Sequence, residues 1–319
     1  MTSDDRVSRA RRGLGLYFAV VVPLSAVIEW KIATSGGTIS DHPGLVLGLM
    51  WTPALAMLVA RVALREGARD VSFRLRAPKG HEGPKAPLAR PLLVAWLSPV
   101  LVGALAYGAA WASGIEPFSP KAMATFGLSH TPAGLRFVVS LVLNLTLGTV
   151  LSAITAAGEE LGWRGYMLTR LVDAKVPYPV LVSTFVWGLW HAPLIAAGVY
   201  AAGPHPWLSV VCFFASIVGG GALAAYSRLA SGSVWPAVLF HAAWNAVIQG
   251  TFDGFTAGGD SAHTSNVLTG ESGVLVAVVS VLVAVALVRG RHVMFRSPSD
   301  PMGQPRPLFA RTLSDDAGP

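Results

Sequence analysis

Eight apolar stretches run along the chain, near 13–33, 44–64, 90–112, 137–168, 178–199, 206–227, 234–250 and 272–288. Each approaches the roughly 20 residues that a helix needs to cross a hydrocarbon layer about 30 Å thick. In lipid the backbone N–H and C=O groups must be satisfied within the segment, so stretches of this kind read as helices. Composition agrees: 53% of residues are hydrophobic, only 13% are charged, and the mean hydropathy is +0.55. That balance excludes an ordinary soluble domain. The expected fold is all-α, a polytopic membrane helix bundle of about eight transmembrane helices, with no internal repeat and no separate soluble domain.

The basic residues orient the bundle. Arg6, Arg9, Arg11 and Arg12 precede the first apolar run, an arrangement shared with secretory signals. No small-residue cleavage site comes after it and further spans do, so this run reads as an uncleaved first helix. With the N-terminus inside, 21 of the 24 Lys and Arg fall on the inner side, leaving Lys31, Lys121 and Arg136 outside. This agrees with the positive-inside rule and puts both termini in the cytoplasm. The domains expected are a basic cytoplasmic N-terminus (1–12), a transmembrane domain (13–290) and a disordered cytoplasmic tail (291–319). The site of action expected is a bacterial cytoplasmic membrane, spanned many times.

Net charge is +7. The basic residues lie in short segments between apolar runs and form no patch with interleaved aromatics, so no nucleic-acid partner is expected. The single Cys212 lies in an apolar stretch, which excludes a disulfide framework and a Cys-based metal motif. Segment 65–90, basic and rich in Pro and Gly, reads either as a plain topology determinant or as a loop resting on anionic headgroups. Residues 114–135 read as an outer loop with a short helix.

Ionisable side chains inside such runs are costly and mark function. Ala157-Gly158-Glu159-Glu160-Leu161-Gly162-Trp163-Arg164-Gly165 ends the fourth run. From Arg136 to Arg170 that helix would extend about 52 Å, so it is tilted or has one end outside the hydrocarbon. Glu160 and Arg164 are four apart and can pair on one face, whereas Glu159 lies about 100° around the helix and is left free. His191 lies on the fifth run, beside Trp187 and ahead of Pro193. His241 and Asn245, four apart, share a face of the seventh. Counted from the inner ends, the depths are about 10 Å for His241, 16 Å for Asn245 and Glu159, and 18 Å for His191. One Glu, two His and one Asn therefore converge on one inner-half cavity. Taken singly, each has a plainer reading as an interhelical hydrogen-bond partner. Gly219-Gly220-Gly221 reads as a close helix contact.

A buried carboxylate beside imidazoles suits general-base activation of water, and an Asn amide with a second His can hold a developing oxyanion. Alternatively Glu159, His191 and His241 are a His₂Glu set of the kind catalytic zinc accepts. Spacing leaves both open. A proton-coupled transporter would use the same buried groups for relay, and a peptide-binding or immunity protein would hold a peptide without cutting it.

Glu159-Glu160-x-x-x-Arg164, Trp187-x-x-x-His191 and His241-x-x-x-Asn245 together resemble the three motifs of the CAAX-prenyl-protease and bacteriocin-processing family of intramembrane proteases (CPBP, or Abi). The stretch Ser233-Val234-Trp235-Pro236-Ala237-Val238 resembles the family's approach to its third motif, and the likeness covers about residues 140–250. The resemblance implies an intramembrane endopeptidase acting on a membrane-associated or lipidated peptide, with membrane lipid as surroundings. It implies that Glu159 and His191 activate water, that His241 and Asn245 stabilise the oxyanion, and that Glu160 and Arg164 support them. The family name implies a metalloprotease. Trp187 departs from the usual Phe, keeping an aromatic but reshaping its surroundings.

Overall fold

The computed structural model describes residues 3–68, 71–73, 88–119, 130–257 and 266–288. Among these the chain is helical, with no strand beyond an isolated antiparallel bridge between Phe118 and Thr256. Eight helices match the eight apolar stretches. They are α1 (Ser3–Thr34), α2 (Pro43–Ala63), α3 (Ala89–Ser113), α4 (Ala133–Asp173), α5 (Pro179–Ala196), α6 (Pro206–Ser231), α7 (Trp235–Trp244, continued as a π-helix over Asn245–Phe252) and α8 (Val274–Val288). The first six are long and apolar enough to cross a membrane. The protein is a polytopic all-α bundle.

Large apolar side chains face outward, among them Val62, Leu101, Val150, Leu151, Val211 and Leu282, while Glu159, Glu160 and Arg164 are buried. Apolar outside and polar inside is the arrangement a lipid solvent selects. The helices α4 and α7 lie centrally: α4 packs on α2 and α7, α7 on α3 and α6, and α6 on α5 and α8. Glycine permits the closest of these approaches. A Cβ on Gly162 of α4 would stand 2.5 Å from the Pro53 carbonyl oxygen of α2, and one on Gly219 of α6 would stand 2.5 Å from the Ser280 carbonyl oxygen of α8. The triple glycine thus serves four neighbouring helices, since Gly220 abuts Phe240 of α7 and Gly221 abuts Trp187 of α5 and Arg164 of α4.

Helix α4 is a single 41-residue helix interrupted by π turns at Asn144–Gly148 and Trp163–Met167. The first turn is tied to the π-helix of α7 by Asn144 Nδ2, which donates to Thr251 Oγ1 at 2.9 Å.

The basic N-terminal segment continues α1. Its Arg9 donates to the Leu64 carbonyl at 2.8 Å and stands 3.4 Å from Glu66, which also pairs with Arg170 at 2.8 Å. The basic ends of α1, α2 and α4 therefore meet around one carboxylate. Of segment 65–90, residues 71–73 pack against the start of α7: Val234 N–H donates to the Ser72 carbonyl and Trp235 Nε1–H to that of Phe73. Residues 69–70 and 74–87 of that segment, residues 120–129 of the outer loop expected over 114–135, and the tail beyond 288 lie outside the described residues.

Candidate active site

Glu159 and Glu160 sit where α4 crosses α7 and α5, one turn ahead of Arg164. Glu160 and Arg164, expected to share a helix face, do pair. Arg164 Nη1 donates to Glu160 Oε1 at 2.8 Å, with both side chains fully buried. Arg164 Nη2 donates to the Gly221 carbonyl at 3.3 Å, and the guanidinium lies 4.2 Å from the centre of the Trp187 ring. The ion pair is thus closed by a carbonyl and an aromatic face, which a buried charge requires.

Glu160 does more than pair with Arg164. Its Oε1 also meets His241 Nδ1 at 3.0 Å. An ionised carboxylate only accepts, so Nδ1 carries a proton, and in the neutral ring Nε2 then carries the lone pair. That Nε2 faces Glu159 Oε1 at 4.0 Å. The other oxygen of Glu159 accepts a hydrogen bond of 2.8 Å from Trp187 Nε1. Glu159 is 1% exposed, so its direction is set by the indole behind it and the imidazole ahead of it.

His191 stands further off. Its Nδ1 donates to the Trp187 carbonyl one turn back at 3.0 Å, and its ring lies among Trp190, Tyr200 and Phe213 at 4.7, 5.7 and 5.0 Å between centres. Trp187 is the hinge of the group: its ring is 5.3 Å from His191 and 5.4 Å from His241. Beside it opens a pocket that spans about 430 Å³ with its open mouth included, lined by His191, His241, Asn245 and Trp187 together with Tyr200 and Glu271. Glu159 is not on its wall. The imidazole closer to that acid is His241, whereas the resemblance pairs the acid with His191.

The three candidate zinc ligands are not gathered as a set. Glu159 Oε1 and His241 Nε2 stand 4.0 Å apart, and among the described residues no three His, Cys, Asp or Glu side chains are grouped to hold a metal ion.

Three features are not legible in the motifs. Trp187 supplies an N–H that holds Glu159, Glu160 fixes the His241 tautomer, and Glu271 brings a further carboxylate to the cavity from the segment ahead of α8. A tryptophan where the family pattern has Phe is the one signal in the sequence for the first.

An all-helical polytopic bundle with paired acids, two imidazoles and an amide at one interior site defines a class of membrane-embedded protein rather than a soluble hydrolase carried on an anchor. Residues 141–247 match the family model described as Rce1-like, type II CAAX prenyl endopeptidase. The matched segment contains Glu159, Glu160, Arg164, Trp187, His191, His241 and Asn245, and its description agrees with the CAAX-protease family that the three motifs resemble. No curated protein matches the chain.

Proposed function

We propose that this protein is an intramembrane endopeptidase that uses Glu159 to activate water against a peptide bond of a membrane-associated or lipidated substrate. The observation that carries this reading is the 4.0 Å gap between Glu159 Oε1 and His241 Nε2. With Glu159 ionised and His241 neutral both atoms are acceptors, so they do not bond each other directly. An oxygen about 2.8 Å from each would subtend about 90°, close to the angle between the two O–H bonds of water. One water therefore suits the gap with both hydrogens committed and its lone pairs free.

Attack on a carbonyl carbon forms the C–O bond as Glu159 takes the water's proton. The carbonyl oxygen becomes an oxyanion, for which the Asn245 amide on the cavity wall is a donor. Collapse breaks the C–N bond, and the departing nitrogen takes a proton from Glu159 or through His191, whose Nε2 is left free by the Nδ1 bond to Trp187. Mass and charge balance without a further reactant. The resemblance pairs Glu159 with His191 for water activation; the distances favour His241 in that place.

The test is cleavage of candidate membrane peptides by purified protein and its Glu159→Gln variant, with and without exhaustive chelation. A general base contributes about 10²–10⁴-fold, so kcat should fall by that order while chelation leaves the wild type active. Equal cleavage by the two proteins would remove the proposal.

A further inference from the structure

Glu271 stands outside the matched segment and outside the water-activating group, yet it lines the same cavity. The stretch that carries it is fastened at several points. Leu268 N–H donates to Glu116 Oε1 at 2.8 Å, Thr269 Oγ1 donates to Glu116 Oε2 at 2.5 Å, and Gly270 N–H donates to Tyr107 Oη at 2.9 Å. Tyr107 in turn donates to Asp253. This clamp ties the segment to the ends of α3 and α7, so the direction of Glu271 is built into the fold.

At the cavity, Tyr200 Oη–H donates to Glu271 Oε2, and Trp244 Nε1–H donates to Oε1 at 2.7 Å. The Gln249 side chain is a third hydrogen-bond partner. All three donors are neutral. They orient the carboxylate without bringing a positive charge; the titratable base that faces it is His241 on the same cavity wall, and no Lys or Arg among the described residues forms a salt bridge with it. Glu271 is 6% exposed. A carboxylate so buried, on a wall of Phe213, Ile217 and Phe240, calls for an opposite charge. An ionised carboxylate has about four lone-pair sites, so three donors still leave it able to accept from a ligand.

We propose that Glu271 is the counter-charge for a cationic group carried on the apolar ligand of this cavity: a Lys or Arg side chain, or a free amine, of a peptide. This rests on the reading of the cavity as the peptide site. The same charge repels a free peptide C-terminus, so the group admitted beside Glu271 is basic rather than carboxylate.

The experiment uses probes of one chain length: dodecylamine, dodecylguanidine, dodecanol and dodecanoate, titrated into full-length protein in neutral detergent while the unfolding midpoint is monitored. Wild type should be stabilised saturably by the two cations, with an apparent affinity on the order of tenfold above that for dodecanol, and not by dodecanoate. Glu271→Gln should lose the preference, and Glu159→Gln should keep it. Equal stabilisation by dodecanol, no stabilisation by the cations, or a preference that survives Glu271→Gln each overturns the proposal. Should Glu271→Gln fail to fold, the wild-type ranking of the four probes still decides. Because no probe is cleaved, loss of the cation preference in a protein that still cuts peptides refutes this inference alone. A preserved preference in a protein that cuts nothing refutes the hydrolase reading alone.

Discussion

Replacing Trp187 by Phe isolates the indole N–H that holds Glu159. Phe keeps an aromatic ring beside Arg164 and both imidazoles, and the Trp187 carbonyl that accepts from His191 is main chain. The substitution removes the 2.8 Å bond to Glu159 Oε2 and some volume. A hydrogen bond to a charged group contributes about 1.5–3 kcal/mol. If Glu159 must be held to direct its other oxygen at water, that loss corresponds to roughly a 10- to 150-fold fall in kcat, at about 1.4 kcal/mol per decade. KM should move less. A double-mutant cycle with Glu159→Leu, which removes the acceptor, read by thermal or denaturant unfolding in detergent, separates the bond from the lost volume, because the volume change is common to both backgrounds. Coupling above about 0.5 kcal/mol is expected. Additivity within about 0.3–0.5 kcal/mol, with kcat unchanged in Trp187→Phe, would show that the indole does not position the acid and that the departure from Phe is neutral.

The buried ion pair and the tightest helix contact each give a stability prediction. Glu160→Ala leaves Arg164 buried without its carboxylate and takes the acceptor from His241 Nδ1, so unfolding free energy should fall by about 3–5 kcal/mol; wild-type stability in that variant would show the ion pair to be dispensable. Gly162→Ala places a methyl 2.5 Å from the Pro53 carbonyl oxygen and should cost about 1–3 kcal/mol in the same unfolding measurement. Gly15→Ala, with nothing within 4 Å, is the control and should be neutral or slightly stabilising.

The apolar stretches foretold all eight helices because length and hydropathy suffice once lipid is the solvent. Depth along a helix is equally readable at about 1.5 Å per residue, and for that reason His191, His241 and Asn245 are expected together and do line one cavity. Angular phase is not readable in the same way. Each extra residue in a π turn rotates the remainder of its helix by about 100° relative to an unbroken α-helix, and such turns begin at Trp163 and Asn245, within or beside the motifs. Facing could therefore be argued for Glu160 and Arg164, which do pair, but not for Arg170. Arg170 is largely buried, above the Tyr166 ring and against Glu66.

Pairing across helices is harder still, since it depends on which rotamer each side chain adopts. Spacing gave Glu159 a choice between two imidazoles, and only the position of Trp187 behind it directs the acid to His241. Glu271 has no periodic context at all. It lies in a short irregular segment whose position is fixed by hydrogen bonds to Glu116 and Tyr107, more than a hundred residues earlier. The motif residues can be shared by chains that hydrolyse different peptides, whereas a carboxylate delivered by such a clamp is free to vary without disturbing them. In this chain, selectivity is therefore to be sought at the wall that the motifs leave unspecified.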